Sequence, residues 1–119
     1  MEGSSRSFDF PGFKRVFEDQ DVEGWLSYYD DSAEWLEYRH ANPPRSPNRM
    51  AGKKEIGAFL GRVKGSNVQL KITDEIVGET RAAFCLTVVM ASGKRIIEHI
   101  IVHYANGRIV KQVDVEAWD

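Results

Sequence analysis

His99 and Asp114 are residue types that acid–base chemistry uses, and the sequence between them predicts that they meet. Residues 80 to 118, TRAAFCLTVVMASGKRIIEHIIVHYANGRIVKQVDVEAW, are rich in Val, Ile, Phe and Thr and are broken at Ser92-Gly93 and Asn106-Gly107. The stretch reads as two back-to-back β-hairpins, and Asn-Gly is the strongest short signal for a two-residue loop. With Asn106 and Gly107 in that loop, Ala105 faces Arg108. Counting outward then pairs His103 with Val110, Ile101 with Gln112, His99 with Asp114 and Ile97 with Glu116 on one face. The other face carries Ile96, Glu98, Ile100, Val102 and Tyr104 against Ile109, Lys111, Val113 and Val115. In a pocket, burial would favour the neutral imidazole of His99, while Asp114 would favour the cation and fix the tautomer. Such a pair can move a proton, or it can do no more than satisfy two polar groups within a sheet.

Other candidates gather around this pair. Glu37 shares a strand face with Trp35 and Arg39, so it is either a second acid or base or half of a rim ion pair. Glu116 lies two residues from Asp114 on the same face and is the alternative carboxylate. Tyr29 or Gln112 could hydrogen-bond a carbonyl. Trp25, Trp35 and Phe13 are core residues that could also wall a ligand cavity. Cys85 stands alone, without a disulfide partner or a Cys/His cluster, so no metal site and no cofactor is expected.

The elements that position these residues follow from periodicity. After polar residues 1 to 7, expected to be frayed, Phe10, Phe13, Val16 and Phe17 mark a helix with Pro11 in its first turn. Asp21 is placed to cap a second helix whose stripe is Val22, Trp25, Leu26 and Tyr29. Residues 33 to 40 read as a strand, with Ala33, Trp35, Glu37 and Arg39 on one face. Residues 41 to 52 hold three of the four prolines and read as a loop, a candidate lid or rim. A third helix is expected from about Lys53 to Val63, with Gly65 as its stop, and a strand at 68 to 77. Three helices before most of the strands imply an α+β domain over residues 8 to 119, with the helices covering one face of a curved, mainly antiparallel sheet. A sheet wrapped on helices makes a cone, and a cone has a mouth. Its convex face, also apolar, is expected to pair two copies into a homodimer.

A chain of 119 residues with a formal net charge of -2 supports one domain and shows no basic stripe for nucleic acid. No window approaches membrane-spanning length, and the first ten residues lack the apolar stretch of a signal sequence. A cytoplasmic location is expected.

This order of elements resembles the nuclear transport factor 2-like superfamily, which includes SnoaL-like polyketide cyclases, ketosteroid isomerases, scytalone dehydratase and limonene epoxide hydrolase. The resemblance is carried by DVEGWLSYYDDSAEWLE at 21 to 37, GKKEIGAFL at 52 to 60 and YANGRIVKQVDVEAWD at 104 to 119. It implies a cone with a small-molecule cavity. On the ketosteroid isomerase pattern, Glu37 falls where that family keeps its carboxylate base. The helix Tyr that would bind an oxyanion falls on Phe13, and the protonated strand Asp falls at or near Ile100. The SnoaL-like cyclases imply Asp114 as acid and base, with Glu116 the near alternative. A scytalone-type dehydratase would use Tyr28 or Tyr29, His99 and Asp114, whereas Arg95-Ile96-Ile97 lacks the acid that an epoxide hydrolase of this kind needs. The expected activity is cofactor-independent proton transfer on an apolar cyclic or aromatic molecule, as in cyclisation, isomerisation or dehydration. A binding module or dimeric assembly module of the same fold is the alternative.

Overall fold

The computed structural model describes residues 7–119. Apart from Ser7, the segment expected to be frayed lies outside these residues. Helix α1 spans Phe10–Asp19; Asp9 caps it by accepting from the Gly12 amide at 3.0 Å, and Phe10, Phe13 and Phe17 face the core. It ends where Gln20 turns left-handed at φ 55°. Asp21 caps the short α2, Val22–Leu26, in the same way.

Strand β1 runs Tyr29–Tyr38, so Tyr29 opens a strand rather than closing the second helix. The sheet itself takes this residue: Tyr29 pairs with Ile109, and the Ile109 amide donates to the Tyr28 carbonyl at 2.7 Å. A second difference lies in the proline-rich segment. Asn48–Ala51 forms β2, antiparallel to β1, because Pro43, Pro44 and Pro47 all precede it and leave its amides free to bond. Helix α3, Gly52–Gly65, follows at once, and Glu55 reaches back to the Ala51 amide at 2.8 Å. Then come β3 (Gln69–Val77), β4 (Arg81–Val89), β5 (Arg95–Ala105) and β6 (Arg108–Trp118).

The six strands form one curved, unclosed sheet in the order β2-β1-β6-β5-β4-β3, antiparallel except for the β1–β6 pair. The helices lie against its concave side, with α3 on β1 and β2 and α1 on β3. This is the α+β cone.

The hairpin between β5 and β6 decides which side chains enter the cone. Its turn is as expected: Asn106 and Gly107 both have positive φ, and Ala105 faces Arg108. One residue further, Val110 is extra. Tyr104 pairs with Ile109 but His103 pairs with Lys111, a β-bulge that leaves Val110 and Lys111 both pointing outward. Beyond it His99 faces Val115 and Asp114 faces Ile100, so the expected His99–Asp114 pair does not exist. Ile100 and Val102 are buried inside the cone, not available on the convex face as expected. The bulge has a clear physical reason. Ile96, Ile100, Val102 and Tyr104 make the more apolar face of β5 and are buried against the helices, and without the bulge Lys111 would enter that core beside them.

Candidate functional site

The bulge turns the second half of β6 over, so Gln112, Asp114 and Glu116 point into the cone with Glu98 and Ile100 of β5. From β1, Trp35 and Glu37 enter the same space by strand alternation. They line a cavity of about 420 Å³ whose walls are mainly aromatic and aliphatic, including Phe17, Trp25, Trp35, Phe59, Leu86 and Ile96. Arg39, Asn48, Arg62 and Trp118 complete the lining.

Four carboxyls converge here. Glu37 is registered beside Asp114 in the β1–β6 ladder, and Glu98 stands opposite Glu116 in the β5–β6 ladder. Oxygens of Glu37, Asp114 and Glu116 lie within 4.8 Å of one another. Asp114 is 1% exposed, Glu37 7% and Glu98 8%, whereas Glu116 is half-buried. Among the described residues no Lys or Arg nitrogen forms an ion pair with any of the four.

Asp114 is held rigidly. Trp35 Nε1 donates to its Oδ2 at 2.8 Å and Gln112 Nε2 to its Oδ1 at 3.1 Å, while the Tyr29 hydroxyl donates to Gln112 Oε1 at 2.5 Å. Asn48 Nδ2 donates to Glu37 Oε1 at 2.8 Å, and Trp118 Nε1 to Glu116 Oε1 at 2.8 Å. Glu98 receives no N–H donor among the described residues. The neighbouring Asp114 carboxyl favours the protonated form of Glu98, and Glu116 acts on Glu37 in the same way.

The titration of the group follows. Burial, then the charges of Asp114, Glu116 and Glu37, push Glu98 up to about 10. Burial and the Glu116 charge push Glu37 to about 7, against the opposing bond from Asn48. Asp114 is raised well above the ordinary carboxylate range by burial and by Glu37, although Gln112 and Trp35 act to lower it. Near neutral pH the cavity therefore holds a protonated acid, Glu98 on β5, and, across β6 on β1, a carboxyl poised to give or take a proton, Glu37. A hard cation would find its ligands at Glu37, Asp114 and Glu116, whose oxygens suit such an ion chemically.

Of the residues singled out in the sequence, Glu37, Asp114, Glu116, Trp25 and Trp35 line the cavity. Tyr29 and Gln112 stand behind Asp114 as its relay of hydrogen bonds. Phe13 is fully buried in the aromatic core beside Phe17 and Phe84 and does not line the cavity. His99 lies on the outer surface, in a shallow depression with Cys85 and Val115. Glu98, which sequence reasoning placed on the opposite face, is the acid that was missed. Its signal was Lys111: a register that buries this lysine with Ile100 and Val102 requires a bulge, and the bulge brings Asp114 to the side of Glu98.

The architecture has many solved counterparts. An NTF2-like protein of unknown function from Mesorhizobium loti superposes with a TM-score of 0.79 at 16% identity, over 91% of this chain and 87% of that one. The fold is NTF2-like. A candidate ketosteroid isomerase from Kribbella flavida matches the NTF2-like cone with a TM-score of 0.73 at 13% identity, covering 92% and 74% of the two chains. A SnoaL-like protein of unknown function from Burkholderia thailandensis matches at 0.65 and 20% identity, over 90% and 89%. No protein-family model and no curated protein matches the sequence. Among the described residues, no helix is long and apolar enough to cross a membrane.

Proposed function

We propose that the chain is a cofactor-independent acid–base enzyme that enolises a small cyclic or aromatic carbonyl compound in the cone, leading to isomerisation, cyclisation or dehydration. The observation that carries this reading is the bulge at Val110. While keeping Lys111 out of the core, it sends Asp114 and Glu116 into an apolar cavity, where burying carboxyls is costly, and leaves Val115 outside at 57% exposure. In this reading Glu37, titrating near neutrality, takes the proton from the carbon next to the carbonyl. Glu98, kept protonated by burial and the neighbouring carboxyls, gives its single O–H to the oxygen that becomes negative. It would supply the donor that Phe13 and Ile100 lack. Tyr29 and Gln112 orient Asp114, and Trp25 and Trp35 pack against the ring. The candidate ketosteroid isomerase from Kribbella flavida, similar in fold, supports the same class of chemistry.

The test is exchange of α-hydrogens of cyclic enolisable ketones into deuterated water, followed by NMR. Glu37→Gln should slow the exchange by about two orders of magnitude, the usual contribution of a positioned base. Exchange no faster than in buffer across the ketones, or unchanged in the variant, would reject the proposal.

The reading includes a homodimer through the convex face of the sheet. Its support is the exposed group Ile97, Ile101, Val110 and Val115 on that face, which no helix covers.

A further inference from the structure

The cavity has a charge problem that a neutral ligand would leave unsolved. Four carboxyls from β1, β5 and β6 meet there with no Lys or Arg ion-paired to any of them among the described residues. Glu98 is more than nine-tenths buried, lines the cavity and receives no N–H donor among the described residues. The basic groups lining the cavity are Arg39, just past β1, whose charge acts on Glu37 without an ion pair, and Arg62 from α3, and both make their close contacts elsewhere. Arg39 bonds Asn42 at 2.9 Å and stacks over Trp118 at 4.7 Å, and Arg62 lies over Phe59 at 5.7 Å. The rest of the lining is aromatic and aliphatic, and electron-rich ring faces next to carboxylates suit a poorly hydrated organic cation better than a small metal ion. A bare metal site also needs no 420 Å³ of apolar space.

We propose that the cavity takes an organic cation, an apolar ring bearing a protonated amine, with the ammonium seated between Glu37 and Glu116. This rests on the acid–base reading of the same cavity and names its substrate class: an amine-bearing cyclic carbonyl compound. Glu116 pairs with the ammonium, Glu37 on its other side is the base, and Glu98 remains the acid. The charge of the substrate thus supplies the cation that, among the described residues, no Lys or Arg brings to these carboxyls as an ion pair.

The probes are 2-phenylethylamine, charged near neutral pH, and its uncharged isostere 2-phenylethanol. Binding of each to the full chain is measured by calorimetry at about pH 7.5. The ammonium should bind about tenfold more tightly than the alcohol, which corresponds to about 1.4 kcal/mol. The advantage of the amine should collapse in Glu116→Gln. Equal or tighter binding of the alcohol, no binding of either probe, or a preference that survives Glu116→Gln would each overturn the proposal. α-Hydrogen exchange separates this from the acid–base reading. Cation preference without any exchange keeps the cation site and removes the enzyme, and exchange of a neutral ketone without cation preference does the reverse.

Discussion

Glu98 stands directly opposite Glu116 in the antiparallel β5–β6 ladder, both turned toward the same cavity. Like charges so placed repel, and burial adds to the cost, so the fold retains protons on this cluster. Stability must then depend on pH in the direction opposite to that of ion-paired carboxylates. A carboxyl raised in the folded state favours folding below its unfolded value of 4.5 and loses that contribution as pH rises through its folded value. The loss runs from about 4.5 to about 7 for Glu37 and on to about 10 for Glu98. Each retained proton contributes a slope of about 1.4 kcal/mol per pH unit. Urea unfolding at about pH 5, 7 and 9 should give falling stability; a flat or rising profile would refute the protonated cluster.

Glu98→Gln keeps the shape of the side chain and removes its acid. Above neutral pH the variant should be more stable than the parent by at least about 1 kcal/mol, since Glu98 in the parent must keep a proton that the unfolded chain has released. The Glu37 midpoint should stay near 7, because Glu98 is protonated and uncharged where Glu37 titrates.

Trp35→Phe should act in the other direction. Trp35 Nε1 is one of two donors to Asp114, and its loss leaves Oδ2 without a protein donor in a buried site. The expected cost is about 1 to 3 kcal/mol beyond that of the smaller ring, read by chemical denaturation.

His99 and Asp114 make a sharp contrast. On the outer face opposite Val115, His99→Ala should change stability by less than about 0.5 kcal/mol and leave turnover unaltered. Asp114→Asn should lower turnover strongly. A loss of activity in His99→Ala would contradict the placement of the site inside the cone.

Val115 is apolar and 57% exposed on the convex face. If that face joins two copies, Val115→Lys buries an unpaired charge and should yield monomers by light scattering at micromolar concentration. A parent chain that is already monomeric would remove the dimer.

Local chemistry in the sequence was enough for most of the fold. Asp21 stands where its helix starts, the Phe10, Phe13 and Phe17 stripe is buried, and Asn106-Gly107 turns as its residue types require. What escaped depended on partners distant in the chain. Tyr29 reads equally well at the end of an amphipathic helix, and only its pairing with Ile109 makes it a strand residue. Asn48–Ala51 is too short to announce itself beside three prolines. The bulge at Val110 matters most, because one added residue exchanges the faces of everything beyond it. The three carboxyls of β1 and β6, Glu37, Asp114 and Glu116, were legible as candidates, while their partner on β5 was read as His99 instead of Glu98.

The most direct measurement is an NMR titration of the side-chain carboxyl carbons of Glu37 and Glu98, assigned with Glu37→Gln and Glu98→Gln. The account predicts a Glu37 midpoint near 7 and a Glu98 carboxyl still protonated at neutral pH, titrating only toward about 10. Midpoints for both residues near the ordinary carboxylate value of 4.5 would contradict it.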